Sequence, residues 1–379
     1  MDPHALVDFR PALRLLALAG GLSLLPLAWW WLRQRGSGAN ARRAALTMLT
    51  LFLTFDLVVF GAFTRLTDSG LGCPDWPGCY GEASPIAASH EIEQAEAAQP
   101  TGPVTQQKAW IEMVHRYLAM MVGALILVLA LLSSRDRREL PFSLAWPWAT
   151  LVWVIVQGLF GKYTVTLKLY PAIVTLHLFG GLLLLALLVV QAERYAQRPL
   201  ALAGAARTLL GVALALLVAQ VLLGAWVSTN YAVLACRGFP QCNGQWWPED
   251  MDAASGFTIL RHLGRAGEGG FLPAEALVAI HWAHRVFAVV VVAALAALAA
   301  RLWREPATRR AAQAVLLVTG LQVATGAANV VLQWPLFAAL LHTAGAAGLV
   351  MLLVSLHARA APAPSPTVQA ASAAQAAPQ

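Results

Sequence analysis

The chain is poor in charge. Only 12% of its 379 residues are Asp, Glu, Lys or Arg, while 59% are hydrophobic. A soluble domain of this size carries about twice that charged fraction, which excludes an ordinary soluble fold. Mean hydropathy is +0.63. The sequence also lacks the period-two alternation that a transmembrane barrel needs. Its apolar runs are continuous, and at about 20 residues they are long enough to cross a hydrocarbon core as helices. The first run is long, lacks a convincing small-x-small cleavage site and is followed by an Arg-rich stretch. That run therefore reads as a retained helix and not a removed signal. The tail from Ala360 lacks aromatic residues and is mostly Ala, Pro, Gln and Ser, a composition that predicts disorder.

The runs predict nine spans, near 12–32, 44–63, 112–132, 146–165, 171–191, 207–227, 279–300, 312–331 and 336–356. Net charge is +7. Its placement argues for a membrane and against nucleic acid as partner. Arg33, Arg35, Arg42, Arg43, Arg135, Arg137, Arg138, Arg194, Arg198, Arg207, Arg301, Arg304, Arg309, Arg310 and Arg359 all follow spans that end on one side. The positive-inside rule makes that side cytoplasmic. The N-terminus and the loops 64–111 and 228–278 are then external. Within the first of these loops, residues 82–109 read as a polar surface excursion without chemistry.

Four histidines lie near the same end of four spans: His115, His177, His284 and His342. A titratable group inside a membrane segment is costly and is a functional hypothesis by default. Aligning the histidines exposes an internal repeat. Phe60-Gly61-Ala62-Phe63 matches Leu223-Gly224-Ala225-Trp226, and Cys73 and Cys79 match Cys236 and Cys242 at an offset of 163. His115-Arg116 matches His284-Arg285, Gln157 matches Gln322, Gly161 matches Gly326, and His177 matches His342. The expected fold is an all-α integral membrane protein. It consists of two pseudo-symmetric four-helix bundles in parallel orientation, 44–206 and 207–356, with an extra N-terminal helix and cytoplasmic loop in 1–43 and a disordered tail in 357–379.

Within each half, the second and fourth helices offer two imidazoles, the number needed for the axial positions of one haem iron. A structural zinc would instead draw four ligands to one closed site. His4, His90, His262 and His357 fall in tails or loops and read as surface residues. His281 is an alternative to His284 as ligand; the His-Arg match favours His284.

The halves differ at one chemically important place. Glu112 lies one turn before His115, and its counterpart is His281. A carboxylate beside one iron site can act as a base, balance positive charge or hold water. The plainer alternative is an ion pair with Arg116 at i, i+4. The cysteine pairs, in external loops, are expected to form the disulfides Cys73–Cys79 and Cys236–Cys242, in a structural or a redox role. Arg65, Arg116 and Arg285 either meet haem propionates or snorkel at the interface. Trp110, Trp226, Trp246, Trp247 and Trp282 fit an interfacial aromatic belt.

The string from Gly61-Ala-Phe-Thr64-Arg65-Leu66-Thr67 through Gly70-Leu71-Gly-Cys73-Pro74-Asp75-Trp76-Pro77-Gly-Cys79 resembles the first-loop signature of the haem A synthase family. Glu112-Met-Val-His115-Arg116 resembles that family's Glu-x-x-His-Arg motif. The resemblance covers about residues 44–356. It implies an oxidoreductase that converts the ring methyl of haem O, through hydroxymethyl intermediates, to the formyl of haem A. By that likeness, His115 and His177 hold substrate haem O, His284 and His342 hold a haem b cofactor, and Glu112 is catalytic at the reacting haem. The resemblance further implies a haem O synthase upstream, haem-copper terminal oxidases as recipients, and an electron acceptor that it does not name. The location would be the bacterial inner membrane, with bilayer lipid around a monomer or homo-oligomer. The nearest rivals are a di-haem cytochrome b that exchanges electrons with quinone and a haem transporter or chaperone.

Overall fold

The computed structural model describes residues 10–267 and 270–362. Its helices are α1 (Arg10–Arg33), α2 (Ala39–Leu66), α3 (Ser89–Ala98), α4 (Gln106–Arg135), α5 (Ala145–Thr166), α6 (Pro171–Ala196), α7 (Gly204–Thr229), α8 (Ala253–Gly256), α9 (Ala274–Trp303), α10 (Arg309–Val331) and α11 (Leu336–Arg359). Each expected span coincides with a long helix. Hydrocarbon offers no partner for a free N–H or C=O, so an apolar run closes its hydrogen bonds within itself. Eight of these helices are long and apolar enough to cross a membrane. The other long helix, α5, has 22 residues, but Trp146, Trp148, Trp153, Gln157 and Lys162 dilute its apolar character.

The repeat is visible in the connections. The α5–α6 turn places Lys168 and Leu169 at positive φ before Pro171, and the α10–α11 turn places Gln333 and Trp334 at positive φ before Pro335. The proline then starts α6 in its first turn and directly precedes α11, pre-setting φ for the incoming helix.

Packing follows the same duplication. In the first half, α2 and α5 each pack against both α4 and α6; in the second, α7 and α10 each pack against both α9 and α11. The halves meet where α6 lies on α11 and α7, and where α11 lies on α2. One apolar core runs through this junction and includes Leu185, Leu188, Leu298 and Leu353. Helix α1 stands outside the repeat, packed on α4.

The seam is tied at both ends. At the histidine end, Arg65 Nη2 donates to Ser228 O at 2.6 Å, and Tyr231 donates its hydroxyl to Asp68 Oδ1 at 3.0 Å. In both pairs the partners are 163 residues apart, so each residue bonds its own repeat counterpart. At the arginine-rich end, β1 (Leu200–Leu202) pairs in parallel with β2 (Ala360–Pro362), and Ser355 donates to Glu193 at 2.5 Å.

That pairing corrects the expected tail boundary. Residues 357–359 complete α11, and 360–362 are ordered by backbone bonding to β1, which needs no aromatic or apolar side chain. The remainder, 363–379, lies outside the described residues, as does His4. Residues 82–109 also depart from the expected open excursion. They form a packed cover in which Ala88 and Ile92 are fully buried, and Tyr117 on α4 donates to Ala83 O at 2.6 Å.

Arg43, expected among the solvent-facing basic residues, is only 1% exposed. It bonds Asp136 at 2.7 Å and Asn40 at 2.8 Å, tying the start of α2 to the end of α4. Asp136→Ala leaves this cation short of charge, and the expected loss is about 1–3 kcal/mol, less than for a fully buried pair because Asp136 is partly exposed. Thermal unfolding in detergent, with Asp136→Glu restoring most of the loss, checks this.

Candidate functional site: two diagonal histidine pairs

His115 sits on α4 and His177 on α6; His284 sits on α9 and His342 on α11. In each half the two histidine helices are opposite members of the four-helix ring. They are packed against the same two neighbours and make at most marginal contact with each other. The imidazoles therefore flank the middle of each half. Among the described residues no group of three or more His, Cys, Asp or Glu could hold a metal ion. Two opposed imidazoles with no third protein donor suit a metal whose in-plane positions are filled by its own macrocycle, as in a haem.

A second regularity supports that fit. Each imidazole lies against a glycine of a neighbouring helix. A Cβ added to Gly61 on α2 would stand 3.0 Å from His115 Nε2, and one on Gly161 of α5 would stand 3.6 Å from His177 Cε1. In the second half, a Cβ on Gly224 of α7 would approach His284 Cε1 to 2.9 Å, and one on Gly326 of α10 would approach His342 Cε1 to 3.2 Å. The glycines create the room in which each ring approaches a neighbouring helix. Phe60 adds a parallel face to His115, with ring centroids 6.4 Å apart and planes 10° apart. Gln157 and Gln322 occupy the equivalent gaps over Gly180 and Gly345, where any Cβ would collide with the amide.

The halves differ in how the imidazoles are held. His284 Nδ1 lies 3.1 Å from Gln220 Nε2, and His342 Nδ1 lies 3.0 Å from Thr325 Oγ1. Thr325 Oγ1 already donates to Leu321 O at 2.8 Å, so it can accept from His342 Nδ1–H and leave Nε2 for a metal, whereas Gln220 Nε2 also lies 3.5 Å from His284 Nε2 and holds that ring from the side of both nitrogens. In the first half, the Nδ1 of His177 is buried without a partner. Gln220 and Thr325 were not visible as functional positions in the sequence, because a lone Gln or Thr in an apolar run has no distinguishing spacing.

Glu112 is 4% exposed and bound on both oxygens. Oε2 accepts from Cys73 N at 2.8 Å, and Oε1 accepts from Arg116 Nη2 at 2.5 Å. Arg116 Nη1 donates onward to the carbonyls of Asp75, Pro77 and Gly78. The second half repeats the device with an imidazole. Arg285 Nε donates to His281 Nε2 at 3.1 Å, and its terminal nitrogens donate to the carbonyls of Cys236, Gly238 and Gln241. His281 thus faces the loop clamp, while His284 faces Gly224.

Arg116 and Arg285 each donate to carbonyls of their own disulfide loop. Arg65 belongs to the seam, with its guanidinium 3.8 Å from the Tyr231 ring centroid. Both disulfides are formed and buried, Cys73–Cys79 and Cys236–Cys242, with Cα separations of 4.9 and 4.7 Å. Trp226 leaves the aromatic belt: it is buried and donates to Gly256 O at 2.9 Å. His90, His262 and His357 are exposed.

The first loop docks where Gly72 meets α4, since a Cβ there would run into the backbone of Lys108 and Ala109. Gly72→Ala should lift Cys73 from Glu112, lower stability by about 1–3 kcal/mol, and speed thiol labelling of Cys73 and Cys79 under mild reductant. Labelling at the wild-type rate would contradict this docking.

Residues 44–354 match the COX15-CtaA family, described as cytochrome oxidase assembly protein. The chain is similar to the haem A synthase of Shewanella oneidensis, 37% identical over 318 residues that cover 82% of this chain and 94% of that one. It is 30% identical to the haem A synthase of Caulobacter vibrioides over 328 residues, covering 78% and 89% of the two chains. Over 230 residues it is 30% identical to the haem A synthase of Shouchella clausii, covering 58% and 69%. With both histidine pairs and both cysteine loops inside the matched segment, the chain belongs to the COX15-CtaA family of cytochrome oxidase assembly proteins.

Proposed function

We propose that this protein is a haem A synthase, an oxidoreductase that converts the ring methyl of haem O to the formyl of haem A for haem-copper terminal oxidases. The observation that carries the reading is the unequal treatment of two equivalent histidine pairs. In the second pair His342 is pinned through Nδ1 by Thr325 and the His284 ring is held by the Gln220 amide, as suits a resident haem b. The first pair includes an unpinned His177 and lies beside the only carboxylate of the two clamp positions, Glu112, as suits a haem O that must enter, react and leave. His284 and His342 would hold haem b, and His115 and His177 would hold haem O. When bound, haem b supplies a one-electron relay.

Within this arrangement Glu112 is one helical turn from His115 and brings a buried negative charge to the reacting half. Its task is to balance positive charge that develops as the substrate methyl is oxidised, or to take up the proton released there. Arg116 and the Cys73–Cys79 loop hold that carboxylate in place and cover the site. The disulfides act structurally in this reading. The first half is the substrate half, 44–206, the second is the cofactor half, 207–356, and 1–43 is an added helix. The basic loops face the cytoplasm and the histidine end faces outward across the inner membrane. A haem O synthase supplies the substrate.

The test is extraction of haems from membranes that contain this chain and a haem O synthase, followed by mass spectrometry. Haem A or its hydroxymethyl precursor, absent without this chain, supports the reading. Unmodified haem O beside a folded, haem-loaded protein overturns it in favour of an electron-transfer cytochrome. Glu112→Gln keeps an acceptor for Cys73 N–H but removes the charge; haem binding should persist while formyl production falls about hundredfold or more. Thr325→Ala should weaken retention of the second-half haem about 10- to 100-fold, with a shift in its low-spin electron paramagnetic resonance signal, and leave first-half loading intact.

A further inference from the structure

The seam between the halves holds a groove of about 410 Å³, lined by Phe55, Asp56, Val59, Phe60 and Phe63 of α2 and by Leu340 and Ala344 of α11. Asp56, Val59, Phe60 and Phe63 share one face of α2 by the i, i+3, i+4, i+7 rule. Phe60 is also the ring that stacks on His115, and the next residue, Gly61, is the one that His115 lies against. The groove and the first histidine pair therefore share Phe60 as a wall.

Its composition is unusual in one respect. Every lining residue is apolar except Asp56, which lies mid-helix, is exposed to the groove, and makes no hydrogen bond or ion pair among the described residues. An unpaired carboxylate at that depth is costly, so it calls for a ligand group that answers it. The repeat shows that the other half does without it. The offset of 163 puts Ala219 where Asp56 stands, and the offset of 165 puts Phe179 where Ala344 stands. A large ring thus takes the place that a methyl leaves open, and the polar group is missing.

Resting on the reading of the first half as the haem O site, we infer that this groove receives the isoprenoid chain of the substrate, with Asp56 accepting a hydrogen bond from the hydroxyl at the root of that chain. Haem B has a vinyl group at that position and carries neither the chain nor the hydroxyl. Asp56 and Ala344 together then make the first half selective for haem O, while Phe179 and Ala219 suit the second half to a haem without the chain. A site that answers a hydroxyl discriminates against a ligand that lacks it, because a ligand filling the groove would cover the carboxylate and leave it unpaired.

The experiment is an equilibrium titration of the full-length protein, second-half haem in place, with haem O and with haem B, followed by Soret absorbance. Wild type should prefer haem O. Asp56→Ala should reduce that preference about tenfold, the worth of one hydrogen bond to a charged group. Asp56→Asn, which keeps an acceptor oxygen, should recover most of it. Ala344→Phe, which copies the second half, should weaken haem O binding at least as much and leave haem B binding unchanged. An unaltered second-half low-spin signal reports that each variant is folded. A preference within twofold of wild type in both Asp56→Ala and Ala344→Phe overturns the proposal. So does a result in which Ala344→Phe only releases a co-purifying phospholipid, which would make the groove a lipid site. A wild type that prefers haem O through Asp56 yet never yields a formyl would sink the synthase reading and leave the groove's selectivity standing.

Discussion

An imidazole can lie against a transmembrane helix only where that helix offers no side chain. This steric requirement organises both halves of the protein. Gly61, Gly161, Gly224 and Gly326 each clear a place for one histidine ring on a helix next to the one that carries it. The histidine helices stay on opposite corners because the helices between them, α2 and α5 or α7 and α10, carry the packing. Removal of a glycine would do more than crowd a ligand; it would push two corners of the ring apart, since close-packed interiors transmit strain.

On this common scaffold a few side chains divide the labour. Both loops are held by an arginine one turn after a histidine-helix residue that it also bonds, yet that residue is Glu112 in one half and His281 in the other. Charge is thereby placed beside one site only, with no change in backbone. Thr325 and Gln220 rigidify the rings of the second half at the price of two polar groups in an apolar run. The first half forgoes that restraint, and the Nδ1 of His177 is buried without a partner.

Much of this was legible in the sequence. Hydrocarbon forces every backbone group into local pairing, so apolar runs become helices with little ambiguity, and the histidine, glycine and cysteine matches exposed the duplication. What escaped notice depends on where backbone atoms come to lie. Arg116 meets the Glu112 carboxylate as the i, i+4 spacing allows, but both Arg116 and Arg285 also bond loop carbonyls, which no residue pattern advertises. The glycines registered as landmarks of the repeat without their steric purpose. Residues 360–362 look disordered by composition, yet they are ordered by strand pairing that uses only main-chain groups. Trp226 has the spacing of an interfacial residue, and only the fold of residues 253–256 over it reveals a buried one.

The ties across the seam carry a consequence for how such a protein can arise. In an assembly of two identical halves, the two-fold axis sets each residue near it against its own copy. Position 65 would then oppose arginine to arginine, and position 68 aspartate to aspartate, contacts that repel. Here the same two positions pair arginine with Ser228 and aspartate with Tyr231. Joining the halves in one chain released the axis from self-complementarity, and unlike residues could then be chosen on its two sides. The same release permits Glu112 to stand in one half where His281 stands in the other.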